Sequence, residues 1–317
     1  MINRVLIRIK VLQILFAYQQ NGSNDLKLAE NELLLSLRRS YDLYYYFLLL
    51  IVEVTHLQER RLDMRRNRYQ PTEEDLRPNT RLVDNRFARQ LENNLALAAY
   101  VKEHGISWAN EMDFVKSVLD LILASDIYAA YRDSREDSYE ADREFWRVIF
   151  RRLICGNEAL EDALEDISIY WNDDIEIIET FVIKTIKRFS ETDGPDRPLL
   201  PMFKDAEDRD YAVRLLRFTM LRGNEYLTRI DPHIKNWEAD RVANMDRLIM
   251  QMAVAELMNF PGIPVNVTLN EYIDAAKYYS TPKSGNFING ILDAVVQELK
   301  EENKLIKVAY TAPTPEE

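Results

Sequence analysis

Residues 245–299 hold the strongest constraint on how this chain can fold. Apolar side chains recur there at helical spacing in three runs, and two short proline-containing turns separate the runs. In the first run Ile249, Met252, Ala253, Glu256 and Phe260 fall on one face of an α-helix. Glu256 is the exception on that face, a carboxylate among apolar neighbours. Pro261-Gly262-Ile263-Pro264 stops the run, because proline lacks the N–H that a helix interior needs. The second run places Leu269, Tyr272, Ile273 and Ala276 on one face, and Thr268-x-x-Glu271 ahead of it reads as a capping box. Ser280-Thr281-Pro282 breaks it. The third run carries Phe287, Ile291 and Val295 as a stripe, with Gly285 and Gly290 leaving room for a close approach by backbone or ligand.

The remainder agrees with an all-helical chain. Of 317 residues only 8 are Gly and 11 Pro, while 47% are hydrophobic and 30% charged, enough for both a core and a solvated surface. An all-α fold is expected. The one cysteine, Cys155, excludes a disulfide within the chain and fits a reducing, cytoplasmic setting, where it reads as a small apolar filler. Arg4, Arg8, Lys10 and Gln13 interrupt the apolar N-terminus, so it has no signal-peptide core. Residues 43–52 are apolar but too few to span a bilayer, which takes roughly 20; no membrane association is expected. A net charge of -12 argues against a general nucleic-acid coat but leaves room for a local basic face.

Further along the chain, a helix is expected over 5–18, a loop at Asn21-Gly22-Ser23-Asn24, and a long helix over 26–68. Arg60, Arg61, Arg65, Arg66 and Arg68 crowd the end of that helix and read best as a solvated terminus. Residues 71–79 read as a loop, 85–101 and 111–131 as helices, and 133–142 as a charged connector. Asp193-Gly194-Pro195 through Pro201 is the clearest linker. A repeat flanks it. Asp142-Arg143-Glu144-Phe145 recurs as Asp208-Arg209-Asp210-Tyr211, Gly156-Asn157-Glu158 as Gly223-Asn224-Glu225, and Trp171 as Trp237. Each copy reads as helix, Gly-Asn break, helix, Trp, helix. Duplication of a module and convergence of similar helical hairpins both account for it.

No catalytic chemistry announces itself. The sequence has no GxGxxG and no P-loop lysine motif, and His56, His104 and His233 stand far apart with no ligand partner at metal spacing. A non-enzyme without metal or cofactor is expected.

The motifs of the C-terminal third are similar to those of the NusB family of transcription antitermination factors. Ala253-Val254-Ala255-Glu256-Leu257, Leu269-Asn270-Glu271-Tyr272-Ile273-Asp274-Ala275-Ala276-Lys277 and Phe287-Ile288-Asn289-Gly290-Ile291-Leu292-Asp293 follow the family's "A-x-x-E-L", "I-N-E-x-I-x-x-A-K" and "F-V-N-G-v-L-d" patterns with conservative apolar changes. Near the N-terminus, Arg8, Gln13 and Leu15 match the family's "R-x-x-A-x-Q-x-L-Y", with Val11 in place of alanine and Phe16 in place of tyrosine. Leu221-Arg222-Gly223-Asn224 resembles its middle helices.

The resemblance implies an all-α, NusB-like bundle assembled from residues 1–20 and 201–302, with additional helices over 21–200 and a tail over 303–317. It implies a stand-alone factor that binds boxA-like single-stranded RNA with the ribosomal protein NusE, inside the RNA polymerase antitermination complex, and promotes transcription of ribosomal RNA operons. The RNA-binding residues it implies are Arg4, Arg8, Lys10 and Phe16 on the first helix and Lys283, Asn286 and Phe287 at the start of the last. Phe287 fits the apolar stripe equally well. Val5 and Leu6 stand where the family often has arginine. With the charge of -12, this keeps a second reading open: a protein–protein scaffold with weak or lost RNA binding.

Overall fold

The computed structural model describes residues 1–234 and 242–308. Trp237, one end of the expected repeat, and the tail from residue 309 lie outside that range. Fourteen α-helices and one π-helical turn follow in order among the described residues: α1 (Arg4–Gln20), α2 (Leu26–Arg66), α3 (Glu73–Leu76), α4 (Arg86–Glu92), α5 (Leu95–His104), α6 (Met112–Leu123), α7 (Asp126–Asp133), α8 (Tyr139–Ile149), the π-turn (Phe150–Ile154), α9 (Glu158–Ile167), α10 (Ile175–Arg188), α11 (Ala206–Ile234), α12 (Asn244–Asn259), α13 (Val265–Tyr279) and α14 (Ser284–Glu301). The fold is all-α. Among the described residues the only β pairing is an isolated bridge between Ile2 and Phe203, and no helix is long and apolar enough to cross a membrane.

Short polar side chains set many of the boundaries. Asn3 starts α1 by accepting the Leu6 amide at 2.9 Å. The helix expected over 85–101 is two helices, because Asn94 caps α5 by accepting the Leu97 amide at 2.9 Å. The helix expected over 111–131 divides in the same way at Ser125, whose hydroxyl accepts from Tyr128 at 3.1 Å. Both breaks lie inside apolar-periodic stretches, where the caps compete with helix continuation. The expected loop at 71–79 holds α3, opened by a capping box between Thr72 and Asp75.

The chain divides into two units. Met1 and Arg38–Met202 form one; Ile2–Leu37 and the described residues from Phe203 onward form the other, so the division falls within α2. In the first unit α8 packs on α4, α7 and α10, and the π-turn also meets α10. Trp146, Phe150, Ile178 and Val182 are buried there. The 193–201 segment, expected as a linker, is anchored to this unit: Leu199 and Leu200 are buried, and Tyr41 donates to the Leu200 carbonyl at 2.8 Å.

In the second unit α12 is the central element, packed by α1, α11, α13 and α14. It is buried nearly all round, from Leu248 to Met250 and from Met252 to Leu257, rather than on one face. Two sequence expectations fail here for packing reasons. The Gly223-Asn224 pair does not break a helix; α11 runs through it for 29 residues. Gly223 is buried, and Gln251 of α12 donates to its carbonyl at 3.2 Å. A Cβ at 223 would lie 3.2 Å from that amide nitrogen, so the glycine serves close helix packing here. The Thr268–Glu271 capping box is absent as well. Helix α13 starts earlier, at Val265 after Pro264, which leaves Thr268 and Glu271 inside the helix.

Candidate functional site

Freed from capping, Thr268 and Glu271 turn to a buried cluster centred on Glu256. Glu256 is fully buried. Arg8 of α1 donates to it from Nε at 2.9 Å and from Nη2 at 2.8 Å, a bidentate pair. Thr268 donates from its hydroxyl at 2.8 Å and Tyr272 at 3.1 Å, and the Tyr211 hydroxyl completes the shell. Glu271 lies 3.3 Å from Arg8 Nη1. The Arg8 guanidinium also sits over the Tyr211 and Tyr272 rings, at 5.7 and 5.8 Å from their centroids. Four helices, α1, α11, α12 and α13, therefore meet on one carboxylate.

The electrostatics agree with an ionised pair. Burial alone pushes the Glu256 carboxyl up, but the hydrogen bonds and charge of Arg8, with the Tyr211 and Thr268 hydroxyls, hold it below the usual carboxylate range. Burial likewise acts to lower the Arg8 pKa, and the hydrogen bond to Glu256 together with the charge interactions with Tyr211, Glu256 and Tyr272 outweighs it. The two tyrosine hydroxyls are pushed well up, first by burial and then by the charge of Glu256, so they remain protonated donors. Such a cluster orients helices: both carboxylate oxygens of Glu256 accept hydrogen bonds from within the protein.

Arg8, expected at the RNA, is thus an inward-facing residue, 5% exposed. The reason is geometric: it lies on the face of α1 that packs on α11 and α12. Lys10 is also buried, at 2%. Arg4, one turn before Arg8, is half-exposed; its Nε donates to Asp208 at 3.0 Å and its guanidinium lies 5.1 Å from the Tyr211 centroid. Phe16 is half-buried further along α1.

Lys283, Asn286 and Phe287 are brought together. They line a groove of about 1030 Å³ at the N-terminal end of α14, with His233, Asp246 and Gly290 among the other walls. The α1 residues do not line it. Lys283 and Asn286 are exposed and Phe287 is half-buried. Gly290, one turn on from Asn286, leaves open space where a side chain would stand. Gly285 has a different job, letting Lys277 of α13 approach, with Cγ 3.3 Å from a would-be Cβ. The groove wall is built by Ser284: it accepts from the Thr281 amide at 3.1 Å and donates to the buried Asp246 at 2.9 Å, tying the start of α14 to the start of α12. This arrangement presents a cation, an amide and an aromatic ring to one open groove. Those are the groups that hold phosphate, read a base edge and stack a base. Among the described residues there is no cluster of groups that could hold a metal ion.

Sequence reasoning missed Tyr211, Tyr272 and Thr268 as a polar shell, as well as His233 and Asp246 in the groove wall. The one available signal was Glu256, a carboxylate on an apolar face that required a buried cation.

Comparison with known proteins bears on both features. A sequence profile of the NusB family matches residues 183–297, which include Tyr211, Glu256, Tyr272 and the groove. The transcription antitermination protein NusB of Salinibacter ruber is 38% identical over 132 residues, 40% of this chain and 82% of that protein. The protein of the same name from Koribacter versatilis is 40% identical over 103 residues, 32% of this chain and 70% of the relative. That of Chloroherpeton thalassium is 37% identical over 103 residues, 32% of this chain and 49% of the relative. No solved structure matches the chain.

Proposed function

The chain belongs to the NusB family, and from that premise we propose that it is a transcription antitermination factor that binds boxA-like single-stranded RNA together with NusE. The observation that carries this reading is the groove at the start of α14, where Lys283, Asn286 and Phe287 converge within the family-matched segment. Lys283 holds a phosphate, Asn286 hydrogen-bonds a base or the backbone, and the half-buried Phe287 ring stacks a base. Arg4, the half-exposed cation of α1, and Phe16 supply a second line of contact. Arg8 and Lys10 act from within: their burial fixes α1, and through α1 the position of Arg4. Chemical catalysis has no part in this function.

The test is a fluorescence-anisotropy titration of a boxA-like RNA with the full chain, with and without NusE. Binding that tightens with NusE, and weakens about tenfold in Lys283→Glu and in Phe287→Ala, is the expected result. Each stacked base is worth about 1–3 kcal/mol, which sets that scale. Undetectable binding with NusE present would sink the reading and leave the protein–protein scaffold, which the net charge of -12 favours.

A further inference from the structure

The other unit carries a basic face that lies only partly within the family-matched segment: its α10 cations follow residue 183, whereas those of α8 and the π-turn precede it. Arg143, Arg147 and Arg151 recur at every fourth position along α8 and the π-turn. Lys184, Lys187 and Arg188 lie in the last turns of α10, at a spacing that puts them on one side of that helix. The two elements pack together, α8 and the π-turn both meeting α10. Arg143 donates to the Phe189 carbonyl at 2.6 Å, so the start of α8 lies at the end of α10 and the two cationic rows adjoin. Glu144 senses both rows: its carboxyl is held low by the hydrogen bond from Arg147, and further by the charges of Arg143 and Lys187.

Of these six cations Arg143 and Arg147 are paired with Glu140 and Glu144, and the charges of Asp193 and Glu191 are felt beside Arg143 at Tyr139. Arg151, Lys184, Lys187 and Arg188 are exposed, and among the described residues none of the four makes an ion pair. This is a local excess of positive charge on a chain of net charge -12. The π-turn contributes directly. Its i→i+5 bond, Cys155 N–H to the Phe150 carbonyl at 2.8 Å, widens the turn; Phe150 and Ile154 are buried while Arg151 and Arg152 stay exposed side by side. π-turns are rare and concentrate at functional sites.

A protein partner would need an apolar anchor at the centre of its interface. None of the large exposed hydrophobic side chains lies on α8, the π-turn or α10. We propose that this face binds the sugar-phosphate backbone of single-stranded RNA, without regard to sequence. It goes beyond the boxA reading, which places recognition at other residues. Cations without an aromatic or apolar anchor give phosphate contacts, which position a strand but do not read it.

The test uses the full-length protein with Arg151→Glu/Lys184→Glu/Lys187→Glu and a 30-nucleotide oligouridine, which contains no boxA-like element. Oligouridine affinity at low salt is expected to fall about tenfold or more. The slope of log affinity against log salt is expected to become shallower by about 2, since each lost single-strand phosphate contact removes roughly 0.7. The charge-conserving triple Arg151→Lys/Lys184→Arg/Lys187→Arg is expected to bind as the wild type does, which separates charge from fold. Unchanged oligouridine affinity and slope in the reversed-charge triple would overturn the proposal. So would loss of binding to phosphatidylglycerol vesicles alone, which would assign the face to lipid. A boxA-like RNA measured in parallel keeps the two readings apart: the reversed-charge triple tests this face, and Phe287→Ala tests the groove. A wild type that binds neither RNA would overturn both.

Discussion

Arg8 and Glu256, 248 residues apart in sequence, form a buried bidentate ion pair that joins the first helix of the chain to the helix at the centre of its C-terminal unit. A buried pair of this kind is weak evidence of net stability, but removing one partner strands the other charge in a dry interior. Glu256→Ala is therefore expected to destabilise this unit by about 3–5 kcal/mol, and Glu256→Gln by less, since an amide oxygen in the Oε2 position still accepts from Tyr211 and Tyr272. Urea unfolding, with hydrogen exchange followed in α12 peptides, measures both. A cost under 1 kcal/mol for the alanine variant would show that the cluster relaxes around the loss.

The two arginines of α1 are expected to separate. Arg4 is half-exposed and its ion pair with Asp208 is solvent-screened, so Arg4→Ala costs about 1 kcal/mol or less. Arg8→Ala leaves Glu256 without its cation and costs several times more, about 3 kcal/mol. Any loss of RNA binding in Arg4→Ala at full folding reports contact; the same loss in Arg8→Ala tracks the unfolded fraction. Thermal melts of both variants beside RNA titrations distinguish the cases, and equal melting temperatures would contradict the assignment.

What the sequence showed and what it hid follow from the range of the interactions. The three C-terminal helices were legible because periodicity and proline turns are local signals: Pro264 and Pro282 bound α13 on both sides. Glu256 was visible as an anomaly on an apolar face, but its partner lies in α1, and no local pattern identifies a cation so distant in the chain. Thr268 and Glu271 have the spacing of a capping box and serve the buried cluster instead, because Pro264 had already set the helix start. The groove residues were reachable only through the family patterns, since Lys283 and Asn286 look like ordinary surface polars. The internal breaks at Asn94 and Ser125 were hidden by apolar periodicity that continues through them.

Two identical Gly-Asn-Glu triplets should respond to alanine for different reasons. Gly156 ends the π-turn with φ +69, a left-handed conformation that costs an L-residue about 1 kcal/mol. Gly156→Ala is expected to destabilise by that amount. Gly223 sits inside α11, where alanine gains about 1 kcal/mol of helix propensity but crowds the Gln251 amide at 3.2 Å. Gly223→Ala is expected to fall within 1 kcal/mol of the wild type in either direction. Comparable large losses in both, measured by urea midpoints, would mean that α11 is broken at Gly223 as the sequence repeat suggested.

Glu179 gives the first unit a pH dependence of defined sign. It is buried on α10, and its carboxyl is pushed up to about 7, first by burial and then by the charges of Glu161 and Glu176; a hydrogen bond with Cys155 acts the other way. In the unfolded chain a glutamate titrates near 4.3. Below that value both states are protonated and the group's contribution to stability is fully present. Between there and about 7 the unfolded state releases its proton while the folded state retains it, so stability falls as pH rises and levels off above 7. The full swing is on the order of 3 kcal/mol. Glu179→Gln, which keeps a neutral hydrogen-bonding group in place, is expected to abolish this slope. It should match the wild type near pH 4.5 and exceed its stability by roughly 2–3 kcal/mol at pH 8. Urea unfolding at the two pH values, followed by tryptophan fluorescence from Trp146 and Trp171 in this unit, measures the difference. Parallel pH profiles for the two proteins would show that Glu179 is ionised in the folded state at neutral pH.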